Sequence, residues 1–198
     1  MDQGSRTKGH RLARAWVGSV FVCLLFTTGC RLMPHSAAIV WDCSRQGLAH
    51  ALLQDLCRAV DAYAAETGDN AVTITSGHRT LRRQAELMAA FSQDQLMGLY
   101  GRHGTPSYVT AIAEFRNTNG RAPTADEVYR ILRHRRDGYI SSHLYGGAVD
   151  IASRSVQNMA ALRAQLAQHN FRTLDERSQG IACLHATHLG TPKRIVRD

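Results

Sequence analysis

The chain has 198 residues, 44% of them apolar and 20% charged, with 16 Gly and 4 Pro. That composition excludes a disordered tail, a collagen-like rod and a polytopic membrane protein, and favours one domain. The formal charge is +8, yet no basic recognition helix or aromatic stacking motif accompanies it, which excludes nucleic acid as the expected partner.

Residues 1–29 read as an export signal. Arg6, Lys8, Arg11 and Arg14 precede the apolar stretch Trp16 to Phe26, which is followed by TTGC at Thr27 to Cys30. The stretch falls short of the roughly 20 residues that span a bilayer. Thr28 and Gly29 before Cys30 resemble a bacterial lipoprotein box, in which the cysteine becomes the lipidated first residue. A lipid anchor at Cys30, ordinary cleavage and a retained helix are the alternatives this pattern leaves, and each places the rest outside the cytoplasm, in the periplasm or cell envelope. Removal of residues 1–29 lowers the length from 198 to 169 and the charge from +8 to +5. A chain of 169 residues buries a full core without a metal or disulfide, and a monomer is expected. Of the remaining thiols, Cys43 and Cys57 are the local disulfide candidate, with Cys183 able to replace either one.

Residues 30–46 are expected to be irregular, with the main domain over 47–198. From Leu48, the residues Leu52, Leu56, Val60 and Tyr63 recur at helical spacing and Gly68 terminates the run. Ala71 to Thr75 reads as a strand. Ser76 and Gly77 break it, and a helix capped by Thr80 is expected to reach about Met97. A loop over Gly98 to Ser107 precedes a helical turn or two at Tyr108 to Phe115, and Asn117 to Pro123 reads as a connection. Thr124 and Glu127 have capping-box spacing for a helix to about His134. Ala148 to Ala152 reads as a strand with Asp150 facing away from Val149 and Ile151. A helix over Val156 to His169 and a strand beginning at Ile181 to Leu184 complete the pattern. The expected class is α+β, a small antiparallel sheet with helices packed on it and a helical insertion beside a cleft.

Candidate chemistry lies in His143, Asp150, His185 and His188, with Arg79 on a strand-to-helix turn. His143 and Asp150 flank LYGGAV, a glycine-rich turn that folds the histidine back beside the aspartate. A carboxylate on a strand of Ala, Val and Ile requires a cation or a donor network to offset its desolvation. Zinc with three ligands from His and Asp and a fourth position for water meets that requirement.

The segments SGHRT with Gln84 downstream, SSHLYGGAVDI and HATH resemble the zinc peptidases that cleave D-alanyl-D-alanine or L-alanyl-D-glutamate bonds in bacterial cell-wall peptides, whose fold is shared with the hedgehog signalling domain. The similarity runs from about Leu48 to Leu189, with Ser141, His143, Gly147 and Asp150 matching the family's central motif. It implies zinc held by His143, Asp150 and a closing histidine, Arg79 as a clamp for a substrate carboxylate or the tetrahedral intermediate, and Ser141 and Gln84 lining the cleft. The family's catalytic glutamate stands three positions before its last ligand. With His188 as that ligand, His185 occupies the base position; with His185 as ligand, Ala182 does, and Ala182 cannot move a proton. The first alignment is the chemically better one. The resulting expectation is an exported zinc metallopeptidase acting on peptidoglycan stem peptides, and the competing one is a non-catalytic cell-wall-binding lipoprotein on the same fold.

Arg130, Arg133, Arg135 and Arg136 near the end of the helix expected after Thr124 read as a solvated basic face with a capacity for anionic wall polymers or lipid headgroups.

Overall fold

The computed structural model describes residues 33–101, 104–136 and 138–197, together with Met1. The expected signal over 1–29, Met1 apart, and the lipidation site Cys30 lie outside the described residues. Among the described residues, no helix is long and apolar enough to cross a membrane.

Five strands form one sheet: β1 (Ile39–Trp41), β2 (Val72–Ser76), β3 (Ala148–Ala152), β4 (Phe171–Asp175) and β5 (Cys183–His188). Their spatial order is β1-β2-β3-β5-β4. The sheet is mixed, not purely antiparallel. β1 runs parallel to β2 while the other pairs are antiparallel, because helix α1 (His50–Thr67) lies between β1 and β2 and supplies the crossover a parallel pair requires. The segment expected to be irregular therefore contributes an edge strand. β4 was also not foreseen. It begins directly after Asn170, which turns the chain at φ 65°.

One face of the sheet is closed by α1 and α6 (Met159–Gln168). Leu52, Leu53, Leu56, Val60 and Tyr63 of α1 and Leu162 and Leu166 of α6 are buried against Val149, Ile151, Leu184 and Ala186. Each large apolar side chain removed from water in this layer contributes about 2 kcal/mol before conformational entropy is counted. α1 stops at Gly68, whose φ of 77° lets its N–H bond Ala64 O.

On the chain between β2 and β3, four helices make a second apolar cluster: α2 (Leu81–Ala90), α3 (Gln93–Tyr100), α4 (Ser107–Asn119) and α5 (Ala125–Arg133). Leu81, Met88, Leu96, Ile112, Val128 and Leu132 are fully buried in it. The single helix expected from Thr80 to Met97 is instead α2 and α3, because Ser92 and Gln95 form a capping box that restarts the chain. α4 is longer than expected and runs through Asn119 to Gly120, at φ 64°. The Thr124 and Glu127 capping box forms as its spacing predicts.

Two surface expectations are corrected. Cys43, Cys57 and Cys183 are free thiols: Cys57 is buried on the core face of α1, whereas Cys43 lines the cleft. Arg135 is buried, and its guanidinium donates to the carbonyls of Leu132, Gly138 and Val196, pinning the C-terminal segment to the end of α5. It therefore does not belong to a solvated basic face.

Candidate metal centre

Side chains of a strand alternate between its faces, and directly paired residues share a face. Asp150 of β3 is in register with His185 of β5, while Val149 and Ile151 turn to the core. His143 comes from the chain before β3. A short 3-10 helix, Ser142–Tyr145, ends at Gly146 with φ 72°. A Cβ at Gly146 would collide with the Gly47 carbonyl, and Gly146 O accepts from Ala49 N at 3.0 Å. Glycine thus permits the reversal that returns His143 to Asp150.

The result is a compact cluster. His143 Nε2 lies 3.1 Å from Asp150 Oδ1 and 3.2 Å from His185 Nδ1, and His185 Nδ1 lies 2.9 Å from the same Oδ1. His143 and Asp150 are buried, and His185 is partly so. The outer ring nitrogens are occupied as well. His143 Nδ1 is 2.6 Å from Gly77 O, so it carries the proton that the carbonyl accepts, and His185 Nε2 is 3.0 Å from Thr187 Oγ1. With His143 Nδ1 protonated, its Nε2 presents a lone pair toward a carboxylate oxygen and a second imidazole. Three electron-rich atoms converging in this way fit a metal ion, with the outward hydrogen bonds fixing each ring.

The electrostatics agree with that geometry. Burial holds the His143 pKa below the ordinary value despite the neighbouring Asp150. Burial also opposes the charge on Asp150 and on His185, but their mutual attraction and hydrogen bonds prevail. Asp150 is held well below the usual carboxylate range, by His143 first and His185 second, and His185 is raised by Asp150. A positive charge among these three atoms is therefore favoured, whether a proton or a metal carries it.

His188 does not join the cluster. His-x-x-His spans an odd number of strand steps, so His185 and His188 face opposite sides of β5. His188 is buried on the α1 side, with Nδ1 2.8 Å from Thr191 Oγ1 and Nε2 3.1 Å from Asp55 Oδ2. The closing member of the triad is thus His185, which corrects the alignment that used His188 as ligand and left His185 as the base.

Arg79 also differs from expectation. Its guanidinium donates to Asp150 Oδ2 at 3.1 Å, Ser76 Oγ at 3.0 Å and Gln84 Oε1 at 3.1 Å. The fork is committed to the protein, so Arg79 orients Asp150 instead of waiting for a substrate carboxylate. Gln84 is fully buried and holds Arg79 on one side and the Tyr100 hydroxyl, at 2.7 Å, on the other. It supports the cleft from beneath instead of lining it. Ser141 does line the cleft, and its Oγ accepts from His143 N at 3.4 Å.

The triad opens onto a cleft of about 1000 Å³ between the sheet and the helical insertion. Two of its residues were not singled out from the sequence, Glu176 and Arg172. Both follow the alternation of β4 that places Arg172 opposite Thr187 and Leu174 opposite His185. Glu176 lies just past β4, and its Oε2 accepts from Cys183 Sγ at 3.3 Å. Asp150, Glu176 and Cys183 form a second group whose ligand atoms all lie within 4.8 Å of one another. Burial and the nearby Asp150 charge raise the Glu176 pKa, while burial and the same charge raise that of the Cys183 thiol.

The structure thus defines an α+β domain with a mixed sheet and a buried His/Asp/His cluster able to coordinate a metal ion. Compared with known proteins, the chain matches no family model, no curated protein and no solved structure.

Proposed function

We propose that the chain is an exported zinc peptidase of the D-alanyl-D-alanine and L-alanyl-D-glutamate peptidase class, built on the hedgehog-like fold and acting on amide bonds of peptidoglycan stem peptides. The observation that carries this reading is the convergence of His143 Nε2, Asp150 Oδ1 and His185 Nδ1 on the floor of an open cleft. The Ser-x-His segment and the Asp seven residues after its His support it from the sequence. Two imidazoles and one carboxylate suit zinc, and such a set leaves a coordination position for water. Zinc held there supplies Lewis acidity toward a carbonyl oxygen and toward water.

The protein's own groups divide the remaining work. Arg79, braced by Gln84 and Ser76, holds Asp150 Oδ2 and so fixes which oxygen faces the histidines. Gly77 O and Thr187 Oγ1 hold the outer edges of the two rings. Glu176 stands in for the glutamate missing from position 182. Its carboxyl group lines the same cleft, and its raised pKa suits a group that accepts a proton at Oε and returns it to a leaving amine. Ser141 contributes a hydroxyl at the cleft wall. The export signal and the anchor at Cys30 would place this chemistry in the cell envelope.

The test is metal content and turnover of cell-wall muropeptides by the purified chain. One zinc per chain with cleavage products is expected. His143→Ala is expected to lose both, and Glu176→Gln to retain zinc while turnover falls about 100-fold, the scale of a lost acid-base group. One zinc per chain without turnover of any stem peptide would overturn the peptidase reading in favour of a wall-binding module. A chain that holds no zinc under any loading condition would overturn the zinc peptidase as well.

A further inference from the structure

The cleft has the sheet for its floor and the insertion of α2 to α5 for its wall. The chain joins the two at the turn Gly77–Thr80 before α2 and over residues 134–147 after α5. On the β4 side, α3 also rests on the β4–β5 connection, where Gln95 Nε2 donates to Gln179 O at 3.0 Å and Gly98 leaves room for the Gln179 side chain.

The chain after β5 supplies a further crossing. It leaves the sheet at Leu189, whose N–H donates to Asn170 O at 2.8 Å, and at Thr191, whose hydroxyl stands 2.8 Å from His188 Nδ1. From Thr191 to Arg197 it has no regular secondary structure, and its far end is held by the insertion. The buried Arg135 donates to Val196 O at 2.6 Å, Arg197 Nη1 donates to Arg135 O at 3.0 Å, and Val196 packs against the apolar cluster of α2 to α5. Between the two anchors, the Lys193 ammonium lies 5.3 Å from the centre of the Tyr139 ring, which lines the cleft. Gly138 lies so close to Ile195 that a Cβ there would meet Ile195 Cδ1. Ordering an irregular segment costs conformational entropy, and these contacts offset it only while both ends are attached.

The metal-binding atoms lie elsewhere. His143 is on the 3-10 turn, Asp150 on β3 and His185 on β5, so a change in how the wall sits leaves the donors in place. We infer that the segment 190–197 is a strap that ties the helical insertion to the sheet and so limits the rate at which ligands, the metal ion included, enter and leave the cluster of His143, Asp150 and His185. The inference goes beyond the peptidase reading and does not depend on it. A gate of this kind changes entry and exit together, because it alters the path and not the bound state.

The test compares the full chain with one ending at Pro192, which keeps Thr191 on His188 and removes the anchor on Arg135. Arg135 retains the carbonyls of Leu132 and Gly138, so its charge is not stranded. In hydrogen exchange of the metal-free chains, amides of α4 and α5 are expected to exchange at least about tenfold faster in the shortened chain, the scale of two lost hydrogen bonds, with β3 and β5 unchanged. Zinc uptake and zinc release to a chromophoric chelator, followed by stopped flow, are expected to quicken together by at least about threefold, leaving the affinity unchanged. The full-length chain carrying Val196→Gly and Arg197→Ala keeps the tail and is expected to show the same changes at smaller size. Unchanged exchange in α4 and α5 overturns the strap. Faster exchange with unaltered zinc rates, or faster release alone with weakened affinity, overturns the gate.

Discussion

Replacing His185 and His188 separately by Ala divides metal binding from stability, and the structure sets the size of each effect. His188 is buried with both ring nitrogens satisfied, by Thr191 at 2.8 Å and Asp55 at 3.1 Å, and its ring packs 5.1 Å from that of Phe171. Its removal forfeits two hydrogen bonds at about 1 kcal/mol each and the burial of an imidazole. Asp55 keeps Asn170 and Arg58 as partners, so no carboxylate is stranded. The total is about 3 kcal/mol, or about 10 °C in Tm for a domain of this size. Zinc affinity of the folded His188→Ala chain is expected to match the wild type. His185 is the converse case. In the metal-free protein its Nδ1 meets Asp150 Oδ1 at 2.9 Å and its Nε2 meets Thr187 Oγ1 at 3.0 Å, while Arg79 and His143 still hold the carboxylate in the variant, so truncation is expected to cost about 2 kcal/mol, less than His188→Ala. Zinc affinity is expected to fall more than about 100-fold, beyond the 10- to 100-fold typical of a residue that merely supports a ligand. Competition with a chromophoric chelator reads the affinity, and urea unfolding of the metal-free chains reads the stability. Zinc lost from His188→Ala while its fold is intact, or wild-type affinity in His185→Ala, would refute the placement of these side chains.

Two further predictions test how the scaffold is held. Asp69 is buried and accepts from the Tyr63 hydroxyl at 2.7 Å and Gln157 N at 3.1 Å. Burial raises its pKa, but these hydrogen bonds outweigh burial and the net shift is downward. A carboxylate with a lowered folded pKa contributes stability that is complete above its unfolded value near 4 and lost as pH falls through the folded one. Asp69→Asn is therefore expected to flatten the stability profile below about pH 4, read from urea midpoints, and parallel profiles for the two chains would count against it. Gly146→Ala is expected to cost at least about 2 kcal/mol, because an L side chain at φ 72° is strained and its Cβ meets the Gly47 carbonyl. Zinc affinity is expected to drop with it, since this turn delivers His143; wild-type stability in the variant would refute the argument.

The elements that periodicity could identify are those buried on one side over several turns. α1 shows its stripe from Leu52 to Tyr63, and α5 shows both its capping box and its buried Val128 and Leu132. β1 and β4 escaped detection for a physical reason. β1 is three residues long, and β4 alternates a single fully buried apolar residue, Phe171, with polar and half-buried ones. β1 takes its pairing energy from β2, on the far side of α1, and β4 takes its own from β5 across the connection 176–182, so the residues of either strand alone do not contain it. The break between α2 and α3 was locally encoded in Ser92 and Gln95, but the continuing apolar pattern from Leu81 to Leu96 obscured it.

The site divides along the same line. His143 and Asp150 are joined by one turn, and a glycine-rich turn between a histidine and a strand aspartate is visible in eight residues. Choosing between His185 and His188 required only that HATH be treated as a strand. Period two then puts His185 and Thr187 on one face and His188 on the other, independent of any family pattern. Matching the family's Glu-x-x-His spacing instead favoured His188, because that alignment put a proton acceptor at position 185 where the alternative offered Ala182. On the proposed reading the acceptor does not come from β5: Glu176, just past the adjacent β4, lines the same cleft beside Asp150. A carboxylate placed there would keep its chemistry and lose its motif, because where strands pair, and not spacing along the chain, is what brings it to the site.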